Sequence, residues 1–336
     1  MTALFEKHQV ITMKLPLSLS ASYILLSLSL IFLLTSCSED ALEQDDIQEI
    51  EPEQEVPIDN SARLEAKNLY LDYYLATQTS GSDISWTGDE PSCVPGIVPE
   101  LTKAKILQRL DYYRKVVGLN NIISENMSKS EKAQMAALIM NANDQLDHDP
   151  PSSWKCYTTE GKEGAGNSLL TMTKNAEAID SYIRDQGADN GPVGHRRWLL
   201  WPRLQEIGIG NTNRSNAIWV LGNSGTPPSD APEFISWPPK GYIPDRLVFP
   251  RWSFSIAGAN FSSTTVSMLD SNNNNINLQI EALSNSYGDP TVVWIPENIN
   301  TNVTADTSYT ITLKGVELSG VFMDYSYEVT LFDPNN

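Results

Sequence analysis

The spacing of apolar residues changes once along this 336-residue chain, and that change limits the possible folds more than any other feature. Between Asn60 and about Leu146 they recur every three or four positions, the period of an amphipathic helix; after Gln205 they alternate, the period of a half-buried strand. The segment "SARLEAKNLYLDYYLA" predicts a first helix, and Ile106, Leu110, Tyr113 and Val117 form the stripe of a second that Gly118 closes. A capping box from Ser128 to Glu131 predicts the start of a third, with Met135, Leu138, Ile139, Ala142 and Leu146 on its buried face. Asn175 is placed to cap a fourth, "AEAIDSYIRDQG", which Gly187 stops. "QEIGIGNTNRSNAIWVLGN" then reads as a two-stranded hairpin and residues 225–245 as a proline-rich connector. Beyond it Trp252, Phe254 and Ile256, then Tyr309, Ile311 and Leu313, then Tyr325, Tyr327, Val329 and Leu331 alternate with polar neighbours. Helices followed by strands make the class α+β, with one domain at 60–224 and a small antiparallel β-sandwich at 246–336.

The front of the chain is of another kind. From Met13 to Cys37 one lysine is followed by a Leu/Ser-rich apolar run that ends in Leu34-Thr35-Ser36-Cys37. It resembles a bacterial lipoprotein signal, which implies removal of residues 1–36 and a diacylglycerol on the Cys37 thiol. An uncleaved anchor is the alternative, because roughly 20 apolar residues span a bilayer. Residues 38 to 60 then hold ten Asp or Glu and no Lys or Arg, so 37–59 are expected to form an extended acidic tether. Ser38-Glu39-Asp40, directly after the cysteine, resembles the acidic surface-export signal of Bacteroidetes lipoproteins. Together these imply an outer-membrane lipoprotein exposed at the cell surface, touching the membrane only through its lipid.

The formal net charge is -19, and without Lys7, Lys14 and Glu6 the balance is 21 basic against 41 acidic residues. That argues against nucleic acid and anionic membrane surfaces as partners. Cys93 and Cys156 remain beyond the tether. Outside the cytoplasm such a pair is expected to form a disulfide, with two buried thiols as the alternative. The lack of a CxxC pair argues against a structural zinc site.

Of the three histidines, His148 and His195 lie beyond the signal segment, each at the end of a predicted element, where sites are commonly built. Two neutral imidazoles and a carboxylate can hold zinc or a similar divalent ion and leave a position for water. Asp147, Asp149, Glu177 and Asp185 are the candidate bases for that water. No HExxH helix or Gly-x-Ser-x-Gly elbow is present. The alternative is that both imidazoles are hydrogen-bonded walls of a cleft without metal. If "GHRRWLLWP" is extended, Trp198 and Leu200 enter a core, one of Arg196 and Arg197 pairs with a carboxylate, Gly194 permits close chain approach, and His195 faces the cleft.

"LDHDPPSSWKCYTTEGKEGAGNSLL", "AIDSYIRDQG" and "GPVGHRRWLLWPRLQEIGIG", in this order and at these distances, resemble the bacterial branch of the CAP superfamily, or SCP-like domains, over about 60–223. The resemblance implies an α-β-α sandwich with an open cleft of two histidines and two acids. Carried over, His148 and His195 are the cleft histidines and Asp185, three residues after Tyr182, is the second acid. Asn167 stands where the family has its first acid, a glutamate, and an amide is neither a base nor an anionic ligand. The expected function is therefore a lipid-anchored envelope protein that binds a small molecule, lipid, glycan or protein at His148, His195, Asp185 and Asn167, without catalysis. A divalent metal such as zinc on His148 and His195 is the one cofactor implied. The alternatives are a metal-dependent extracellular hydrolase and an adhesion or scaffold protein acting through the β-region.

Overall fold

In the computed structural model, residues 60–336 are described apart from Gly81, Ser82, Ile84 and Asn223; the signal segment, Cys37 and the acidic tether lie outside the described residues. The first part of the chain gives α1 (Ser61–Leu69), α2 (Glu100–Val116), β1 (Ser124–Glu125), α3 (Met127–Asn143), α4 (Thr159–Asn167), β2 (Ser168–Thr171), α5 (Glu177–Arg184), α6 (Gly194–Leu199), β3 (Glu206–Asn211) and β4 (Asn216–Trp219). The strands form one sheet in the order β1-β3-β4-β2, with β1 parallel to β3 and the other pairs antiparallel. Alternation along these strands sends side chains to two faces. Leu170, Ala217 and Trp219 pack with Ala133, Ala137 and Met140 of α3. Leu169, Ile207, Ile209 and Ile218 join Ile106 and Tyr113 of α2 and Ile179 and Tyr182 of α5. Helices cover both faces of the sheet, as expected for an α-β-α sandwich.

Three local expectations change. Helix α3 is capped two residues before the predicted Ser128: the Asn126 side chain is the cap, accepting from the Lys129 N–H at 3.2 Å. Its buried side is built from Ala133, Ala136, Ala137, Leu138, Ile139 and Met140, while Leu146 lies past its end and is exposed. The reason is enclosure: α4 and the sheet press on α3 from different sides, and small residues allow both contacts. Asn175 does not cap α5. It has a left-handed backbone (φ 60°), and its amide oxygen accepts from Asn211 Nδ2 in a buried network.

The alternating tail continues with β5 (Ile235–Trp237), β6 (Gly241–Pro244), β7 (Trp252–Ser255), β8 (Ala259–Asn260), β9 (Thr265–Asp270), β10 (Leu278–Ile280), β11 (Thr291–Pro296), β12 (Thr307–Leu318) and β13 (Val321–Phe332). One sheet has the order β10-β11-β7-β5 and the other β6-β13-β12-β8, with β9 also paired to β12. All pairs are antiparallel except β6 with β13. Phe254 of one sheet meets Tyr325 and Tyr327 of the other at 5.4 and 6.0 Å between ring centres. β5 and β6 come from the stretch expected to be a connector. Its prolines delimit strands, and Trp237 from β5 lies 5.2 Å from the ring of Tyr113 on α2. One apolar core therefore runs from α2 and α5 into both β-sheets, and the described residues belong to one compact unit. Among the described residues no helix is long and apolar enough to cross a membrane.

Cys93 and Cys156 form a disulfide across 63 positions, joining the loop before α2 to the loop before α4. Closing a loop of that size constrains the unfolded chain, and the Cys93→Ser/Cys156→Ser variant is expected to lose about 2–4 kcal/mol in a denaturant titration. A midpoint unchanged from wild type would show that the bond contributes no net stability.

Candidate functional site

Helix α5 ends at Arg184, and Asp185 turns the chain with a left-handed backbone (φ 51°), which directs its carboxylate at the start of α6. That carboxylate accepts from the His195 N–H at 2.9 Å, from His195 Nδ1–H at 2.8 Å and, more weakly, from the Arg196 N–H at 3.4 Å. Its side chain is fully buried, whereas the His195 ring is 23% exposed. A carboxylate only accepts, so Nδ1 carries a proton, and in the neutral form of the ring the lone pair is on Nε2. The buried ring of Tyr182 lies beneath, 5.6 Å away, and burial pushes its phenol well above the usual range.

His148 reaches the same tautomer by another route. Its Nδ1–H donates to the Ala165 carbonyl of α4 at 3.0 Å. His148 and His195 line one cavity of about 410 Å³, with Asn167 and Ser168 at the α4–β2 junction between them in sequence. Asn167 Nδ2 donates to the Glu163 carbonyl at 2.8 Å, which leaves its amide oxygen free to accept. Three of the four predicted site residues thus line the cavity. Asp185 stands behind His195 as its positioning group.

The other candidate bases are engaged elsewhere. Asp149 pairs with Lys162 on the surface at 2.6 Å, Asp147 accepts from the Asp149 N–H, and Glu177 accepts from the N–H and hydroxyl of Thr79. The carboxylate that does line the cavity is Asp189, on a single 3-10 turn after α5. Sequence spacing held no signal for it. Trp198, Ser286 and Tyr287 also line the cavity and were missed for a related reason: the last two come from a loop between β10 and β11, nearly a hundred positions beyond His195.

The donor set can be tested against a metal. Asn167 replaces one acid, and Asp185 is committed to three donors. Among the described residues no group of three or more His, Cys, Asp or Glu could hold a metal ion. These residues do not fit the three-donor centre of a catalytic zinc.

The run Gly194-His195-Arg196-Arg197-Trp198 is helical, so its side chains radiate instead of alternating. The arginines bind carbonyls where a carboxylate partner was expected. Arg196 is buried; Nε donates to the Ile183 carbonyl at 2.7 Å, and Nη1 to the Arg251 carbonyl and Ser253 Oγ at 2.8 and 3.1 Å. Burial pulls its guanidinium down to about 9, and Asp185 opposes that shift. Arg197 donates to the carbonyls of Ser284 and Asp289 at 2.9 and 2.8 Å and lies 5.6 Å from the ring of Tyr287. Gly194 allows close approach by Tyr287: an added Cβ would sit 2.9 Å from that ring.

An α-β-α sandwich with two imidazoles lining one cleft has the architecture that the sequence resemblance implied for CAP domains. Residues 107–221 match the family model CAP, cysteine-rich secretory protein family, and the chain accordingly carries a CAP domain, here followed by an antiparallel sheet-rich region. No curated protein matches the chain.

Proposed function

We propose that this is a cell-envelope protein, tethered through a lipid on Cys37, whose CAP domain binds an uncharged small molecule in the His148–His195 cleft without transforming it. The observation that carries the reading is the anchoring of both Nδ1–H groups, on Ala165 O and Asp185 Oδ1, which makes Nε2 the acceptor atom of each ring in its neutral form. Rigidly oriented acceptors in a cavity of about 410 Å³ suit recognition of a small donor-rich ligand. Catalysis is disfavoured because the carboxylates expected to activate water are engaged away from the cavity.

Asp185→Asn tests it. The amide oxygen would stay with the two backbone N–H groups, and the NH₂ would then face Nδ1 and drive the ring proton to Nε2. Nitrogen-15 NMR of the full-length chain should show the protonated and bare nitrogens of His195 exchanged. Loss of such an oriented partner is expected to weaken any cleft ligand about 10- to 100-fold. A small-molecule fragment mixture that leaves the His195 and His148 signals of wild type unmoved would refute the cleft as a binding site.

The same Nδ1 anchoring supports a second reading, a divalent ion such as zinc on His148 and His195 with water completing its shell. With only two protein donors the expected calorimetric affinity is weaker than about 1 μM, or less than ~8 kcal/mol of binding free energy, and is lost in His148→Ala. Tighter binding that survives His148→Ala would sink this reading.

A further inference from the structure

The cleft is not made by the CAP domain alone. Residues 107–221 carry the family match, yet Ser286 and Tyr287 also line the cavity. Their loop is held down at several points. Arg197 binds the carbonyls of Ser284 and Asp289, the Trp201 indole N–H donates to Asp289 Oδ1 at 3.0 Å, and Gly288 lies so close to Arg197 that an added Cβ would be 3.1 Å from its carbonyl oxygen. A loop clamped at both ends presents a fixed wall, so the ring of Tyr287 is a preorganised surface.

The wall has a distinct chemistry. Trp198 and Tyr287 offer aromatic faces; Asn167, Asn190 and Ser286 offer amide and hydroxyl groups; the two imidazoles accept. Among the described residues no lysine or arginine lines the cavity, and the nearby Arg197 is spent on the loop. A phosphate or carboxylate ligand would find no fixed counter-charge and would meet Asp189. An acyl chain would have to bury the amides and imidazoles without partners. A pyranose ring satisfies both halves: its C–H face is apolar and suits an aromatic ring, and its hydroxyls donate to Nε2 and amide oxygens and accept from amide N–H groups. We propose that the clamped 284–289 loop and the two-histidine cleft form a composite site for a neutral carbohydrate, with Tyr287 as its specificity-determining residue. This rests on the cleft being a binding site and names the ligand class it takes.

Chitotriose and maltotriose serve as neutral probes, with adenosine and a short fatty acid as contrasts, each titrated into the full-length chain while nitrogen-15 signals of His148 and His195 and tryptophan fluorescence are followed. One of the two oligosaccharides is expected to move the His195 signals, with affinity reduced at least about 10-fold in Tyr287→Ala and within about 3-fold of wild type in Tyr287→Phe, which keeps the ring. Circular dichroism should show the wild-type fold in both variants, because the Arg197 bonds go to backbone carbonyls, with Tyr287→Phe melting as wild type and Tyr287→Ala somewhat lower for the ring it no longer packs on Gly194 and Arg197. Oligosaccharide binding unaltered in Tyr287→Ala would remove that residue's role. Signals moved by adenosine or fatty acid and by neither sugar would overturn the ligand class while leaving the cleft as a binding site. Signals unmoved by these probes but moved by the fragment mixture would likewise overturn only the carbohydrate assignment.

Discussion

Replacing Arg196 by methionine is expected to destabilise the protein by at least about 3 kcal/mol, although the volume of the side chain is nearly kept. The guanidinium is buried and binds the carbonyl of Ile183 in the last turn of α5, the carbonyl of Arg251 before β7 and the hydroxyl of Ser253 within it. Carbonyls in a last helical turn have no intrahelical donor, so Arg196 supplies one that water cannot. Methionine would leave these acceptors buried and unpaired, each at a cost of about 1–3 kcal/mol, partly offset because a charge no longer has to be desolvated. Arg196 also joins the CAP domain to the β-region, so the loss should appear as one cooperative transition at lower denaturant in tryptophan fluorescence. Arg196→Lys, with fewer donors, should fall between. A shift of less than about 1 kcal/mol for methionine would mean that the acceptors find other donors, and the bridging role would fail.

A second large effect is expected from a single methyl group. In Gly210→Ala the new Cβ would lie 2.1 Å from the carbonyl oxygen of Ala133 in α3, far inside van der Waals contact. No rotamer relieves this, since the atom met is backbone, and α3 must move off the sheet. That motion would also strain two bonds across the interface: the Ile209 N–H donates to Ser130 Oγ at 2.9 Å and the Asn211 N–H to Gln134 Oε1 at 2.8 Å. The loss is expected to reach about 4 kcal/mol or more, a large fraction of the roughly 5–15 kcal/mol that holds an ordinary domain folded. Reduced soluble yield together with a lowered thermal midpoint would register it. Wild-type stability would show that α3 can slide without penalty.

Much of the framework was legible in the chain. Ile106, Leu110, Tyr113 and Val117 fall where helical spacing puts them, β3 and β4 are the predicted hairpin, and the tail is the predicted antiparallel sheet-rich region. The cysteine pair was legible too, as one of two options. The run at His195 was misjudged because a short segment rich in large apolar residues satisfies both periods, whereas in the fold it is a helix whose first N–H groups donate to the carboxylate of Asp185. The composition of 225–245 pointed to a connector, yet the flanking sheets offered strand partners to Ile235–Trp237 and Gly241–Pro244.

The sequence by itself determined the periods, the disulfide partners available, the scarcity of imidazole and the substitution of an amide at Asn167, because these are properties of residue type and local order. Only the tertiary structure decided which face each histidine nitrogen shows, that Asp185 supports His195 from behind, and that Tyr287 lines the cleft. Those depend on hydrogen-bond direction and on contacts between segments up to about 140 positions apart, as from His148 to Tyr287. No local spacing rule reaches that far, since the relative placement of such segments is set by the packing of the whole core.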